Sequence, residues 1–98
     1  MKTLKLKFDN SISSLCGFDF GHDTFEKQVK GELVDNEAIE VEIPSTIDSV
    51  SMSFAQGFFS EIADKHQMKN VEKFVMVKSN HDRVLRKFKD AILIRSNG

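Results

Sequence analysis

The sequence predicts a single α/β domain, a sandwich in which a mixed β-sheet of about four to five strands carries about three helices. Three observations lead there. Residues 3–8 and 38–43 alternate polar and apolar side chains, the period of a strand with one buried face. Residues 71–77 contain Phe74-Val75-Met76-Val77, a β-prone run without alternation that suits a strand covered on both faces. Between these runs lie segments whose apolar residues recur every three to four positions, as on one face of a helix. Strand and helix alternating along a chain favour some parallel pairing. A chain of 98 residues holds one such core and no second one, so residues 1–98 are read as one domain.

In chain order, Leu4, Leu6 and Phe8 of the first strand face the core and the intervening lysines face solvent. Asp9-Asn10-Ser11 reads as a turn. Residues 12–16 offer a short, weakly patterned second strand. Gly17 to Gly21 is a break, after which His22-Asp23-Thr24 opens a helix. Asp23 or Thr24 caps it, Phe25, Val29 and Leu33 share one face, and Asp35-Asn36 ends it. Ile39, Val41 and Ile43 point inward from the next strand, which Pro44 closes by removing a ladder donor.

Residues 45–50 form a loop. Ser53 and Gln56 then fit a capping box at the start of a strongly apolar helix. Phe54, Phe58 and Ile62 make one row, with Ala55, Phe59 and Ala63 beside it, so this helix lies flat on the sheet. Gly57 costs about 1 kcal/mol relative to alanine inside a helix, and close backbone packing is the compensation expected. A strand over 72–77 follows. Ser79 and Asp82 make a second capping box, and the helix after it turns Val84, Leu85, Phe88 and Ile92 inward. Ile92-Leu93-Ile94 is a candidate last edge strand. No internal repeat and no linker stand out.

Composition narrows the class. The balance of 40% hydrophobic and 30% charged residues argues against disorder. Nine phenylalanines without a tyrosine or tryptophan suit a packed interior better than a carbohydrate-stacking or membrane-interface surface. The apolar runs are too short to span a bilayer, and the first eight residues lack the apolar stretch of a signal peptide. With Cys16 as the single cysteine no intrachain disulfide forms, and a cytoplasmic location is expected.

Net charge is −1, unevenly divided. Residues 1–64 carry five lysines and twelve acidic residues, whereas residues 65–98 carry nine basic and three acidic ones. The asymmetry marks either an acidic or nucleic-acid partner for the basic half or an attraction between the halves in the folded chain. At pI ≈ 6.3 the whole-domain basicity of a nucleic-acid binder is missing, which weighs against that partner.

Few residues carry chemistry. Cys16, His22, His66 and His81 match no zinc spacing, and His22 and His81, beside Asp23 and Asp82, read as exposed polar residues at helix starts. No metal, cofactor or catalytic residue is expected. A small enzyme or nucleotide-handling subunit would need a carboxylate pair or a Gly-rich phosphate loop, and Gly17-Phe18-Asp19-Phe20-Gly21 is not followed by Lys-Ser or Lys-Thr. Phe18 and Phe20 are expected to be buried under a sheet edge; in an exposed loop they would instead be apolar anchors for a partner. Ser51 and Ser53 stand where a helix N-terminus attracts anions, and the plainer reading makes Ser53 an N-cap and Ser51 a loop residue. Arg83, Arg86, Lys87 and Lys89 make a basic face on the last helix. It is either solvated or a docking surface for an acidic partner.

From about Gly21 to Ile94 the chain resembles the STAS-like domains, the fold of the anti-sigma-factor antagonists, and within them a small bacterial branch of unknown function. The likeness rests on the alternating strand and loop of residues 39–47, on Val50-Ser51-Met52-Ser53-Phe54-Ala55 at a loop-to-helix junction, and on the strand and basic amphipathic helix that follow. This chain departs from the branch at Ile43-Pro44, where an acidic residue is usual, and at Gln56-Gly57, where Asp-Glu is common. Met52 takes the position of the antagonists' phosphorylated serine, flanked by Ser51 and Ser53. The resemblance implies a non-catalytic regulatory module that docks on a protein partner, such as a kinase-like ATPase or another regulator. Ser49, Ser51, Met52 and Ser53 are then the partner-binding residues, and Ser51 or Ser53 the candidate phosphoacceptor. The alternative is a small accessory subunit or inhibitor that meets an acidic or nucleic-acid partner through the basic C-terminal helix.

Overall fold

Chain order in the computed structural model, which describes residues 2–33 and 37–97, is β1 (Lys2–Lys5), β2 (Ser14–Leu15), α1 (Phe18–Thr24), β3 (Ile39–Glu42), β4 (Ser49–Val50), α2 (Met52–His66), β5 (Val75–Lys78) and α3 (Asp82–Asn97). α1 continues through a wide π-type stretch, Phe25–Val29, and a 3-10 turn, Lys30–Glu32. A further 3-10 segment, Met68–Lys73, connects α2 to β5. The class is α/β, as expected.

The sheet is arranged differently from the single mixed sheet expected. Among the described residues the strands form two sheets, one of order β1-β3-β5 and one pairing β2 with β4, and every pairing is parallel. β4 falls in residues read from the sequence as loop. Two residues give no alternation to detect, and the strand exists because Ser14 and Leu15 lie opposite Ser49 and Val50.

Register assigns the faces of the larger sheet. Leu4, Val41 and Val77 align across the three strands, as do Thr3, Glu40 and Met76. Ile39, Val41, Ile43 and Val75 are buried, whereas Glu40 and Glu42 are half-buried and Met76 and Lys78 exposed. One face is therefore packed and the other wet, which corrects the expectation that the last strand is covered on both sides. The outer face is held by polar pairing: Lys78 Nζ lies 3.6 Å from Glu40, and the Thr3 hydroxyl lies 3.3 Å from the same carboxylate. Lys78 with Glu40 and Arg83 with Asp48 pair the basic and acidic halves of the chain, so part of the charge asymmetry is spent inside the fold.

One core joins the inner face to the helices. It takes in Leu6, Leu15, Ile39, Val41, Phe25 and Val29, five residues of the 54–62 row, and Val84 and Phe88 of α3. Phe54, Phe58, Phe59 and Phe88 contact one another as edge-on and stacked rings. The Asp9-Asn10-Ser11 turn forms as read. Asp9 accepts both the N–H and the hydroxyl of Ser11, and these bonds hold its carboxyl below the ordinary aspartate range.

Two helix boundaries in this part of the fold differ from the sequence reading. α1 starts at Phe18, not near Asp23, so Gly21 is helical and the supposed break is a single residue, Gly17. Gly17 has φ 97° and ψ 138°, a conformation open to glycine and costly for other residues. The proposed helix end at Asp35-Asn36 lies outside the described residues. α3 runs through residues 92–94, so no edge strand forms there. Extending an existing helix adds one hydrogen bond per residue fixed, whereas a new strand needs a partner. Leu93 and Ile94 are accordingly left 57% and 56% exposed. Among the described residues no helix is long and apolar enough to cross a membrane.

Where α1 and α2 cross, the backbones touch. A Cβ on Gly57 would lie 2.0 Å from the Phe18 carbonyl oxygen, and one on Gly21 would lie 2.1 Å from that of Phe54. The contact is reciprocal. Phe18-Asp19-Phe20-Gly21 and Phe54-Ala55-Gln56-Gly57 each set a glycine against the phenylalanine of the other. The close packing expected of Gly57 is thus present, and Gly21 is its counterpart.

Candidate functional site

β2 and β4 lie side by side and each leads within a few residues into a helix. The starts of α1 and α2 therefore open together at the carboxyl end of the small parallel sheet. In open α/β folds this is the end where loops gather binding residues. Ser51 fastens the junction. Its backbone is extended, and its hydroxyl accepts the N–H of Phe54 at 3.1 Å and the N–H of Gly17 at 3.3 Å. Its own N–H donates to the Leu15 carbonyl at 2.8 Å. Ser51 is thus the N-cap of α2 and ties it to the residue that opens α1.

The expected Ser53–Gln56 capping box is not formed. The helix begins at Met52, which makes Ser53 its second residue, exposed and bonded through its hydroxyl to that of Ser51 at 3.0 Å. Either serine could be read as the cap from sequence. The extended backbone at Ser51, fixed by the β2–β4 pairing, decides between them. The second expected box fails for a similar reason. α3 starts at Asp82, and the Ser79 hydroxyl accepts the N–H of His81 at 3.0 Å in a turn before the helix.

A stability prediction follows from the cap. Ser51→Ala is expected to cost about 0.5–2 kcal/mol, at the upper end because the Gly17 N–H also loses its acceptor. Ser53→Ala should stay within about 0.5 kcal/mol. Urea denaturation checks this, and the reverse order of effects would put the cap at Ser53.

The surface around the junction mixes hydroxyls with apolar rings. Ser14 and Ser49 approach through their hydroxyls at 3.3 Å, and Ser14 lies 3.6 Å from the Cys16 thiol. Ser14, Cys16 and Ser53 are exposed, while Ser49, Ser51 and Met52 are half-buried. Phe18 is 45% exposed and Phe20 37% exposed. The burial under a sheet edge expected of this pair is therefore corrected. Phe20 packs edge-on to Phe54 at 5.4 Å and to Phe8 at 6.0 Å, which fixes its ring while leaving an edge open. Beside it, Lys7, Phe8, Asp9, Ile12 and Asp23 help line an open groove of about 290 Å³.

The loop behind the junction is pinned from α3. His81 Nε2 lies 2.8 Å from the Ser45 carbonyl oxygen. Arg83 donates through Nε to the Asp48 carbonyl at 2.6 Å, and its guanidinium lies 3.8 Å from the Asp48 carboxylate. Asp48 N–H reaches the Ser13 carbonyl at 2.9 Å, so the loop is held from both sides. Of the basic face, Arg83 is engaged in this way and Arg86, Lys87 and Lys89 are exposed. Lys89 turns to another flank, where it lines a small pocket with Phe59, Val75 and Leu85.

The three histidines occupy unlike places. His81 precedes α3 as expected, and His66 stacks on Phe74 at 4.3 Å. His22 lies within α1 and not at its start, because the helix opens four residues earlier. Sequence reasoning placed Phe18 and Phe20 under a sheet edge, and their exposure overturns that reading. The signal available was Gly17, whose freedom allows the sharp entry that puts these rings at the surface. Compared with protein-family models, with curated proteins and with solved structures, the chain finds no match.

Proposed function

We propose that the chain is a non-catalytic regulatory module of the STAS-like kind, which docks on a protein partner such as a kinase-like ATPase through the joined starts of α1 and α2. The observation that carries this reading is the exposure of Phe18 and Phe20 in the first turn of α1, which Ser51 ties through Gly17 to the start of α2. Large aromatic anchors fixed before binding lose little entropy on docking. The junction's hydroxyls pair as Ser14 with Ser49 and Ser51 with Ser53, an arrangement suited to a contact surface. Ser53 is the better phosphoacceptor of the two serines, because it is exposed and Ser51 is committed to the cap. A phosphate there adds roughly −1.5 to −2 charges at a helix start that tolerates them, so it acts on docking and leaves the fold intact.

A second reading rests on Arg86, Lys87 and Lys89, whose exposed charges suit an acidic or nucleic-acid partner of an accessory subunit or inhibitor. One comparison separates the two. Affinity for each purified regulator encoded beside this chain is measured for wild type, Phe18→Ala, Ser53→Asp and Lys87→Glu. Docking at the junction predicts that Phe18→Ala and Ser53→Asp each weaken binding more than about tenfold with melting temperature unchanged, while Lys87→Glu binds like wild type. Loss with Lys87→Glu alone transfers the interface to the basic face. Wild-type affinity from Phe18→Ala and Ser53→Asp together removes the junction as the docking surface.

A further inference from the structure

The crossing of α1 and α2 has a consequence away from the docking junction. His22 follows Gly21, and Glu61 lies one turn beyond Gly57, so the glycine contact draws these side chains to one rim of the crossing. Glu26 stands four residues after His22, on the same helical face. His22 Nε2 lies 3.6 Å from Glu26 Oε1, and one ligand atom from each of His22, Glu26 and Glu61 falls within 4.8 Å of the other two. All three side chains are half-buried. We propose that His22, Glu26 and Glu61 form a binding site for one divalent transition-metal ion of the zinc type.

The donor chemistry fits that class. Zinc takes imidazole nitrogen and carboxylate oxygen at about 2.0–2.2 Å, which puts the donor atoms around one ion roughly 3–3.5 Å apart. The donor atoms, within 4.8 Å of one another, close to that spacing as the ion enters. An imidazole favours zinc and its neighbours over magnesium or calcium, which prefer oxygen alone. Two carboxylates balance a dication, and a three-residue set leaves the fourth position to water.

The rim already gathers positive charge. Lys30 Nζ lies 3.4 Å from Glu26 and 3.2 Å from Glu61, and Lys65 lies 4.0 Å from Glu61. The Lys30 side chain is 46% exposed and can swing into solvent as the ion enters. Lys30 is therefore a competitor for the site, not a part of it.

The test is a calorimetric titration of chelator-treated protein with zinc chloride, with magnesium chloride as comparison. One zinc per chain is expected, with no saturable heat from magnesium. His22→Ala should abolish the binding, and Glu26→Gln and Glu61→Gln should each weaken it by about tenfold or more. Lys30→Met should tighten it, an effect a merely structural ion pair does not predict. Zinc should also raise the melting temperature of wild type and not of His22→Ala. Cys16→Ser should bind zinc as wild type does, since Cys16 lies outside the set. If Glu61→Gln does not fold, Glu26→Gln carries the same test. Zinc binding that survives His22→Ala, or an absence of saturable zinc binding to wild type, overturns the proposal.

Discussion

Gly57→Ala is expected to destabilise the domain by about 3 kcal/mol or more, at the upper limit of overpacking costs. Local propensity predicts the opposite sign, because alanine is better than glycine inside a helix by about 1 kcal/mol. The added methyl would sit 2.0 Å from the Phe18 carbonyl oxygen, and the atom in its way is backbone, which has no rotamer to change. α1 must move off α2 to admit it, and that also pulls Gly17 from Ser51. For a domain of this size about 3 kcal/mol lowers the melting temperature by roughly 12–24 °C. Gly21→Ala should behave alike. The double substitution should cost less than the sum, since both open the same crossing. Gly31, where an added Cβ meets nothing within 4 Å, is the internal control and should change by less than about 1 kcal/mol. A rise in melting temperature for Gly57→Ala would show that the helices do not touch there.

Phe58→Ala is expected to cost about 3–5 kcal/mol, the range for removing a fully buried phenylalanine. The Phe58 side chain has no exposure, and its ring meets Phe25 at 5.9 Å, Phe59 at 5.5 Å and Phe88 at 5.7 Å, with Phe54 stacked at 6.3 Å. It therefore joins α1's continuation, α2 and α3, and its loss leaves a cavity that none of the three can fill alone. Against a total of about 5–15 kcal/mol, one such change removes a large share of the stability. Urea denaturation with an unchanged m-value would confirm a native-state effect. Phe18→Ala gives the contrast: an exposed ring should change stability by less than about 1 kcal/mol. A Phe58→Ala melt close to wild type would mean that this face is not the core.

The two substitutions bear on the functional readings in different ways. Phe58 holds α2 to α3 and to the continuation of α1, and hence the platform they form. Gly21 and Gly57 set the separation of α1 and α2, on which both the junction at Ser51 and the rim at His22, Glu26 and Glu61 depend. Partial loosening at Gly57 should therefore weaken docking and zinc binding together, whereas Ser53→Asp should affect the first alone and His22→Ala the second alone.

The sequence by itself determined the α/β class, the inward residues Ile39, Val41 and Ile43, and the apolar row of α2 with its need for close packing at Gly57. These are local matters: alternation and helical spacing report which face is buried because a side chain's direction follows from its own backbone. It also picked out the residues of the Ser49–Ser53 junction and the four basic residues of α3. Tertiary structure decided the rest. The pairing of Ser14–Leu15 with Ser49–Val50 is too short to leave a pattern, and it is this pairing that makes Ser51, and not Ser53, the cap. The apolar run 92–94 has the composition of a strand, but a helix already begun at Asp82 carries it. The reciprocal glycines share only a Phe-x-x-Gly spacing, which is too short to announce a contact, because a phenylalanine carbonyl and a missing Cβ are all that each side needs. His22 read as an isolated histidine for the same reason: Glu61 reaches it from another helix, across a distance in the chain that only the close crossing removes.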